Sequence, residues 1–313
     1  MTDERRLYMP EVAAIRTIVE TPTETVSAPE HRILAPHVRR HRAFWTTDDR
    51  ENEGGNWDAL AAENEIHAAI STFNEAKEER KSRENVAFLM GRLSPGTRVL
   101  DLGCGYGRLA KYLLPGMRFE AYVGVDCSPV MLKKFHERYA ASEAERATPL
   151  VLALGDIDRI PLKDATIDAC IVSAVYLHNH KDVTRRSIAE IRRVLRPGGR
   201  VMVISSFPST RGLTGLQGWA YLSCLRLIGQ GRKNGPVRYF TRREVAELFA
   251  GFRDAVIHPF GFSVLPKTIL GLPTAWQVRY RRFYDRLHAF LERRLPEPVR
   301  AFFCVHFDVV ASV

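Results

Sequence analysis

Asp101 and the glycines that follow it, Gly103, Gly105 and Gly107, combine residue types and spacing that can do chemistry. They lie in VLDLGCGYGRLA, residues 99–110. Glycines at every second position let the chain turn through backbone conformations closed to other residues and bring bare amides against a ligand. The loop leads into a helical pattern, and a helix N-terminus attracts negative charge. A nucleotide pyrophosphate is the wrong ligand, however. Asp101 puts a carboxylate beside it, and Arg108 stands where the dinucleotide pattern G-x-G-x-x-G needs its third glycine. A ligand carrying both a cation and a carboxylate suits the loop better.

Two further acids follow at strand-like ends. Asp126 closes AYVGVD, nineteen residues after Gly107, where a carboxylate can accept hydrogen bonds from ribose hydroxyls. It can equally cap the helix that starts after Ser128-Pro129. Asp156, in LALGDIDRIPL, can hold an adenine amino group while Ile157 packs on the ring, and Asp158 is close enough to compete for that role. Asp168 reads as a structural anchor, and Cys104 and Cys127 as small fillers of tight turns. Tyr176, His178, Asn179 and His180 cluster after the next apolar run. An imidazole there suits proton transfer near neutral pH, so His178 leads as base or orienting group, with His180 and Tyr176 beside it. The same residues can simply pack against or cap the following helix.

The elements that must position these residues alternate. The run Val99, Leu100, Leu102 predicts a buried parallel strand. Further strands are expected over 121–125, 150–154, 167–173 and 200–205, with helices over 131–139 and 183–195. Such a rhythm predicts right-handed crossovers and a parallel sheet covered on both faces, with ligands at the carboxyl ends of its strands. Residues 1–56 are polar and proline-dotted, and read as a partly disordered arm anchored by Phe44 and Trp45. Residues 57–313 read as one domain: N-terminal helices over 57–95, a binding core over 96–206, a lid insertion and helix over 207–253, and late strands over 254–313. A helical insertion interrupts that last part at 266–300. Thr241 with Glu244 spells a capping box.

Composition narrows the class. The 313 residues are 45% hydrophobic and 26% charged, ordinary for a chain that buries a core. No apolar run reaches membrane-spanning length, and the N-terminal MTDERRLYMP lacks the apolar core of a secretion signal. The five cysteines are scattered without a C-x-x-C, which argues for reduced thiols, a cytoplasmic location and no metal site. The net charge of +10 suits nucleic acid, an anionic membrane or an acidic substrate, yet most basic clusters are interleaved with acids and also read as solvated helix faces.

Taken together, these residues resemble the class I S-adenosylmethionine-dependent methyltransferases (methyltransferase type 11 domain). VLDLGCGYGRLA is similar to the family's first motif, YVGVDCSPVML to its second, LALGDIDRIPL to its third, and VLRPGGRVMVI to a later loop and strand. The resemblance covers about residues 85–206. It implies a three-layer, Rossmann-like α/β fold with a mostly parallel seven-stranded sheet in the order 3-2-1-4-5-7-6, strand 7 antiparallel. S-adenosyl-L-methionine is the cofactor it implies. Asp101, Gly103, Gly105 and Gly107 would then lie near the methionine end, Asp126 on the ribose, and Asp156 with Ile157 around the adenine. Ser173 and Ala174 would line the methyl-donor side.

The acceptor has to be read from what surrounds that core. The aromatic content of the insertions suits a small, partly apolar molecule, amphipathic or lipid-like, methylated at oxygen. The stretch LHNHKDVTRRSIAEIRRVLRPGG is similar to enzymes of transfer RNA wobble uridines, which makes RNA the runner-up. A non-catalytic cofactor-binding protein is a further alternative. Peripheral membrane contact through the amphipathic insertions is another possibility.

Overall fold

The structure, a computed structural model, describes residues 29–41, 44–47, 75–210, 237–262 and 273–313. Five strands build the parallel part of its sheet: β3 (Arg98–Leu102), β4 (Ala121–Asp126), β5 (Leu150–Leu154), β6 (Ile167–Ser173) and β7 (Leu195–Pro208). Each is short and apolar because both of its faces are covered; all six residues of β4 are buried. Successive residues feed opposite cores. Leu100, Val123 and Val201 belong to one apolar cluster, Val99, Tyr122 and Met202 to the other.

Two late strands extend the sheet beyond β7. β9 (Cys304–Ser312) runs antiparallel to β7, and β8 (Arg253–Phe262) antiparallel to β9. The edge position of β8 tolerates Pro259, whose nitrogen has no hydrogen to donate. From β5 to β8 the order is β5-β4-β3-β6-β7-β9-β8, which is the expected seven-strand order with its antiparallel member.

The strand count is a correction. Among the described residues the sheet has nine strands, because β1 (Val38–His41) and β2 (Phe44–Thr47) form a hairpin within the stretch read as an arm. The hairpin joins the sheet where Trp45 pairs with Ala153 of β5. Phe44 packs on one core and Trp45 on the other, as neighbours on a strand must. Two strands of four residues, one reading VRRH, give no alternation that a sequence pattern could detect.

Helices cover both faces: α1 (Pro29–Ile33), α2 (Glu75–Met90), α3 (Ala110–Leu113), α4 (Pro129–Ala141), α5 (Glu143–Arg146), α6 (Lys181–Val194), α7 (Arg242–Leu248), α8 (Thr274–Arg294) and α9 (Glu297–Phe302). On α6 the buried residues Thr184, Ser187, Ile188, Ile191 and Val194 follow helical spacing. β7 starts at Leu195, directly after the helix, and its opening residues include Gly198 with φ at +80°. The expected helix over 57–74 and most of the 207–240 insertion fall outside the described residues.

Candidate functional site

The chain enters β4 and β5 on one side of β3 and β6 and β7 on the other, so the carboxyl ends of β3 and β6 flank the point where strand order reverses. That is where sheets of this kind hold ligands. Asp101, on β3, is 2% exposed and accepts a 2.8 Å hydrogen bond from the Tyr122 hydroxyl. Burial pushes its carboxyl up to about 6, against the opposing pull of that hydrogen bond and of the nearby Arg108 charge.

The three glycines all have positive φ, and they then diverge in role. A Cβ on Gly103 would lie 2.5 Å from Val175, and one on Gly107 2.4 Å from the Phe135 ring. These two are demanded by packing as well as by the turn. A Cβ on Gly105 would meet no heavy atom within 4 Å, so this glycine faces open space. The loop is tied down from behind: Gly103 and Cys104 donate to the Val125 carbonyl at 2.7 and 3.2 Å. Burial raises the Cys104 thiol well above its usual range, which fits its reading as an inert filler.

Asp126 joins this loop to the next helix. One carboxylate oxygen accepts the Gly105 amide at 2.8 Å and the other the Ser128 amide at 2.9 Å. The capping of α4 itself is done by Ser128, whose hydroxyl accepts from Met131. A carboxylate oxygen has two lone pairs, so Asp126 can hold the loop and accept ribose hydroxyls together. At the end of β5, Asp156 is exposed and Ile157 half-buried against the core, while Arg186 donates to Asp158 at 2.7 and 2.9 Å. Asp158 is thereby tied to α6. Asp168 is the anchor its position suggested: it accepts the Arg98 amide at 2.8 Å and pairs with Arg196.

Ser173 lies at the end of β6 and accepts a 3.0 Å hydrogen bond from Arg108, whose guanidinium also reaches Ser82 on α2 at 3.0 Å. The sequence used Arg108 only to exclude a dinucleotide. In the fold it clamps the mouth of the loop to β6 and α2. Ala174 follows with φ at +58°, a conformation that costs a non-glycine residue energy and is typical of functional turns.

The cluster after β6 separates. Tyr176 is fully buried, stacks on Phe207 with ring centres 5.3 Å apart, and shares a 3.1 Å hydrogen bond with Ser187. Burial also drives its hydroxyl further from ionisation. Its side chain packs within the core. His180 is exposed, and its Nε2 lies 3.2 Å from the Arg238 guanidinium. A guanidinium only donates, so that nitrogen's lone pair is engaged. His178 is half-buried in a short 3-10 turn over 176–178.

A polar group that sequence reasoning missed lies next door. His306 Nε2 is 3.2 Å from Asp308 Oδ1 and 3.5 Å from Ser205 Oγ, and Asp308 Oδ1 also accepts the Ser205 amide at 2.8 Å. Phe260 of β8 tilts over the imidazole with centres 4.9 Å apart. Ser205 has φ at +53° in the bulge where the β7–β9 register slips, so the irregularity aims it. The residues flanking Ser205 on β7 are tied to the turn that follows β6. Val175, which crowds Gly103, donates its amide to Ser206, and Ala174 donates to Ile204. A separation of 103 residues between Ser205 and Asp308 leaves no signal in sequence.

The basic residues of α6 are largely committed: Arg185 to Asp182, Arg186 to Asp158, and Arg193 to Glu190 and Asp164. Among the described residues there is no cluster of metal-binding side chains, and no helix long and apolar enough to cross a membrane.

Comparison with known proteins agrees with this geometry. Residues 99–199 match the family described as a methyltransferase domain. The ubiquinone/menaquinone biosynthesis C-methyltransferase of Bordetella avium is 31% identical over 159 residues, 49% of this chain and 59% of that protein. The malonyl-acyl-carrier protein O-methyltransferase of Serratia marcescens is 34% identical over 113 residues, 36% of this chain and 40% of that protein. The chain thus spans about half the length of these relatives. Among solved structures, a chain from the complex of a Haloferax volcanii methyltransferase activator with a methyltransferase superposes with a TM-score of 0.52 at 19% identity. The superposition covers 84% of this chain and 99% of that one, and it is a likeness of fold.

Proposed function

We propose, from a core over residues 99–199 that matches a methyltransferase-domain family, that this chain is an S-adenosylmethionine-dependent methyltransferase acting on a small amphipathic molecule at oxygen. One observation carries the cofactor side: Gly105 presents open space while Asp126 holds its amide at 2.8 Å and Asp101 lies buried on the adjoining strand. When bound, S-adenosylmethionine supplies an electrophilic methyl group on a positively charged sulfur. Around it the chain would bind and orient. Asp101 offers negative charge to the cationic end, Asp126 accepts the ribose hydroxyls, and Asp156 with Ile157 receives the base.

On the acceptor side the proposal gives His306 the part that sequence suggested for His178. An Nε2–H directed at Asp308 fixes the tautomer and leaves the lone pair on Nδ1. That nitrogen can take the proton of an acceptor hydroxyl, and Ser205 and Phe260 shape its surroundings. Alignment of the two reactants supplies the rest of the rate. His178, nearer the end of β6, would line the same entrance.

The test is a metabolite extract incubated with methyl-labelled cofactor and analysed by mass spectrometry. We expect a labelled product, and a loss of about 10²- to 10⁴-fold in its formation for His306→Gln. S-adenosylhomocysteine binding by calorimetry should survive that substitution and be lost in Gly105→Leu. Absence of any labelled product together with absence of binding overturns the reading; an unaffected His306→Gln overturns the assignment of the base alone.

A further inference from the structure

Helix α8 carries one pair of residues three times over. An aromatic residue is followed three positions on by an arginine at Trp276 and Arg279, at Phe283 and Arg286, and at Phe290 and Arg293. The interval is seven residues, close to two turns, so the aromatics form one row along the helix and the arginines a second row beside it. On another face Tyr284 and His288 are buried, with ring centres 3.7 Å apart. The aromatic row faces outward: Trp276 is 59% exposed, Phe283 56% and Phe290 58%. At 1.5 Å per residue it is roughly 21 Å long.

Three large exposed aromatics in one straight row exceed the scattered apolar residues normal on a soluble surface. The charge beside them decides what they meet. Arg282 and Arg294 add to the three repeated arginines, Arg279 lies over the Trp276 ring at 5.6 Å and Arg294 over the Phe290 ring at 5.7 Å. The 21 residues of the helix contain six arginines and two acids, and one of those acids, Asp285, pairs with Arg281. A second copy of the chain meeting the row across a two-fold axis would bring like arginine rows together. A flat anionic surface with an apolar layer beneath it satisfies both rows at once.

We propose that α8 lies along the surface of an anionic lipid bilayer, its aromatic row at the boundary between headgroups and acyl chains and its arginines on lipid phosphates. Val299 and Phe302 on α9 are exposed as well. The inference rests on this helix and not on the methyl-transfer reading. If both hold, an amphipathic acceptor would be met at the membrane surface.

The full chain tests it by flotation with phosphatidylcholine vesicles, with and without phosphatidylglycerol. We expect co-flotation with the anionic vesicles only, weakening as salt rises. Replacing Arg279, Arg286 and Arg293 together by Glu should lower partitioning by at least about a hundredfold. Phe283→Ser with Phe290→Ser should abolish it. S-adenosylhomocysteine binding and thermal unfolding, followed in parallel, should stay at the wild-type level in the arginine variant, whose altered side chains are all exposed. No flotation, or equal flotation by the variants, overturns the proposal. So does a concentration-dependent oligomer dissolved by the phenylalanine substitutions, which would make the row a self-association surface. Salt-sensitive binding to bulk transfer RNA, lost in the arginine variant while vesicles are ignored, overturns it as well.

Discussion

Burial behind Tyr122 gives the Asp101 carboxyl a value of about 6, against 3.8 for an unperturbed aspartate, and this has a sign that can be measured. The folded chain keeps a proton on Asp101 that the unfolded chain releases between about pH 4 and pH 6. This group's contribution to stability is therefore full below that window and declines by about 3 kcal/mol as pH rises through it. In urea titrations from pH 4 to pH 7, the wild-type unfolding free energy minus that of Asp101→Asn should fall across the window and level off above it. A flat difference would show that Asp101 keeps its ordinary acidity. A cationic ligand favours the ionised carboxylate, so its binding below pH 6 should release a proton, visible as a buffer-dependent heat in calorimetry. At this scale much of the site was legible. The glycine spacing and the acids at strand ends are local signals that require no knowledge of the fold. Arg108 with Ser173, and Ser205 with His306 and Asp308, are contacts between distant segments, and nothing in the sequence announces them.

Among the elements, α7 shows how far local chemistry can be trusted. The Thr241 hydroxyl accepts the Glu244 amide at 3.1 Å, and the Glu244 carboxylate accepts the Thr241 amide at 2.7 Å, so the capping box forms as its spelling suggested. Lys181 of α6 pairs with the same Glu244, which makes the cap part of a contact between helices. Thr241→Ala should cost about 1 kcal/mol and lower the Tm by about 2 °C in a thermal scan. A Tm unchanged by the substitution would mean that packing alone holds the helix start. The strands β3 to β7 were equally readable, because burial on both faces leaves an apolar run. The boundaries of β7 and β8 were not: bulges and a register slip lengthen both beyond the stretch that patterning marks. The hairpin of β1 and β2 escaped for the opposite reason, its identity as strand being conferred by partners rather than by pattern.

For the molecule as a whole, alternation of strand and helix and the handedness of crossovers fixed where the ligand ends of the sheet lie. Those rules place Asp101, Gly105, Asp126 and Ser173 on one edge without reference to any relative. They are silent about what finishes the sheet on the far side of β5. The single pairing of Trp45 with Ala153 there has a consequence far from the candidate site. A parallel sheet whose last strand carries bare amides recruits strands from neighbours. The hairpin caps that edge, two short segments spent on keeping copies of the protein apart. A version shortened to begin at residue 75 should consequently scatter light and bind thioflavin T at concentrations where the parent stays clear. If it stays clear as well, the hairpin is ornament and the sheet was never at risk of fibrous growth.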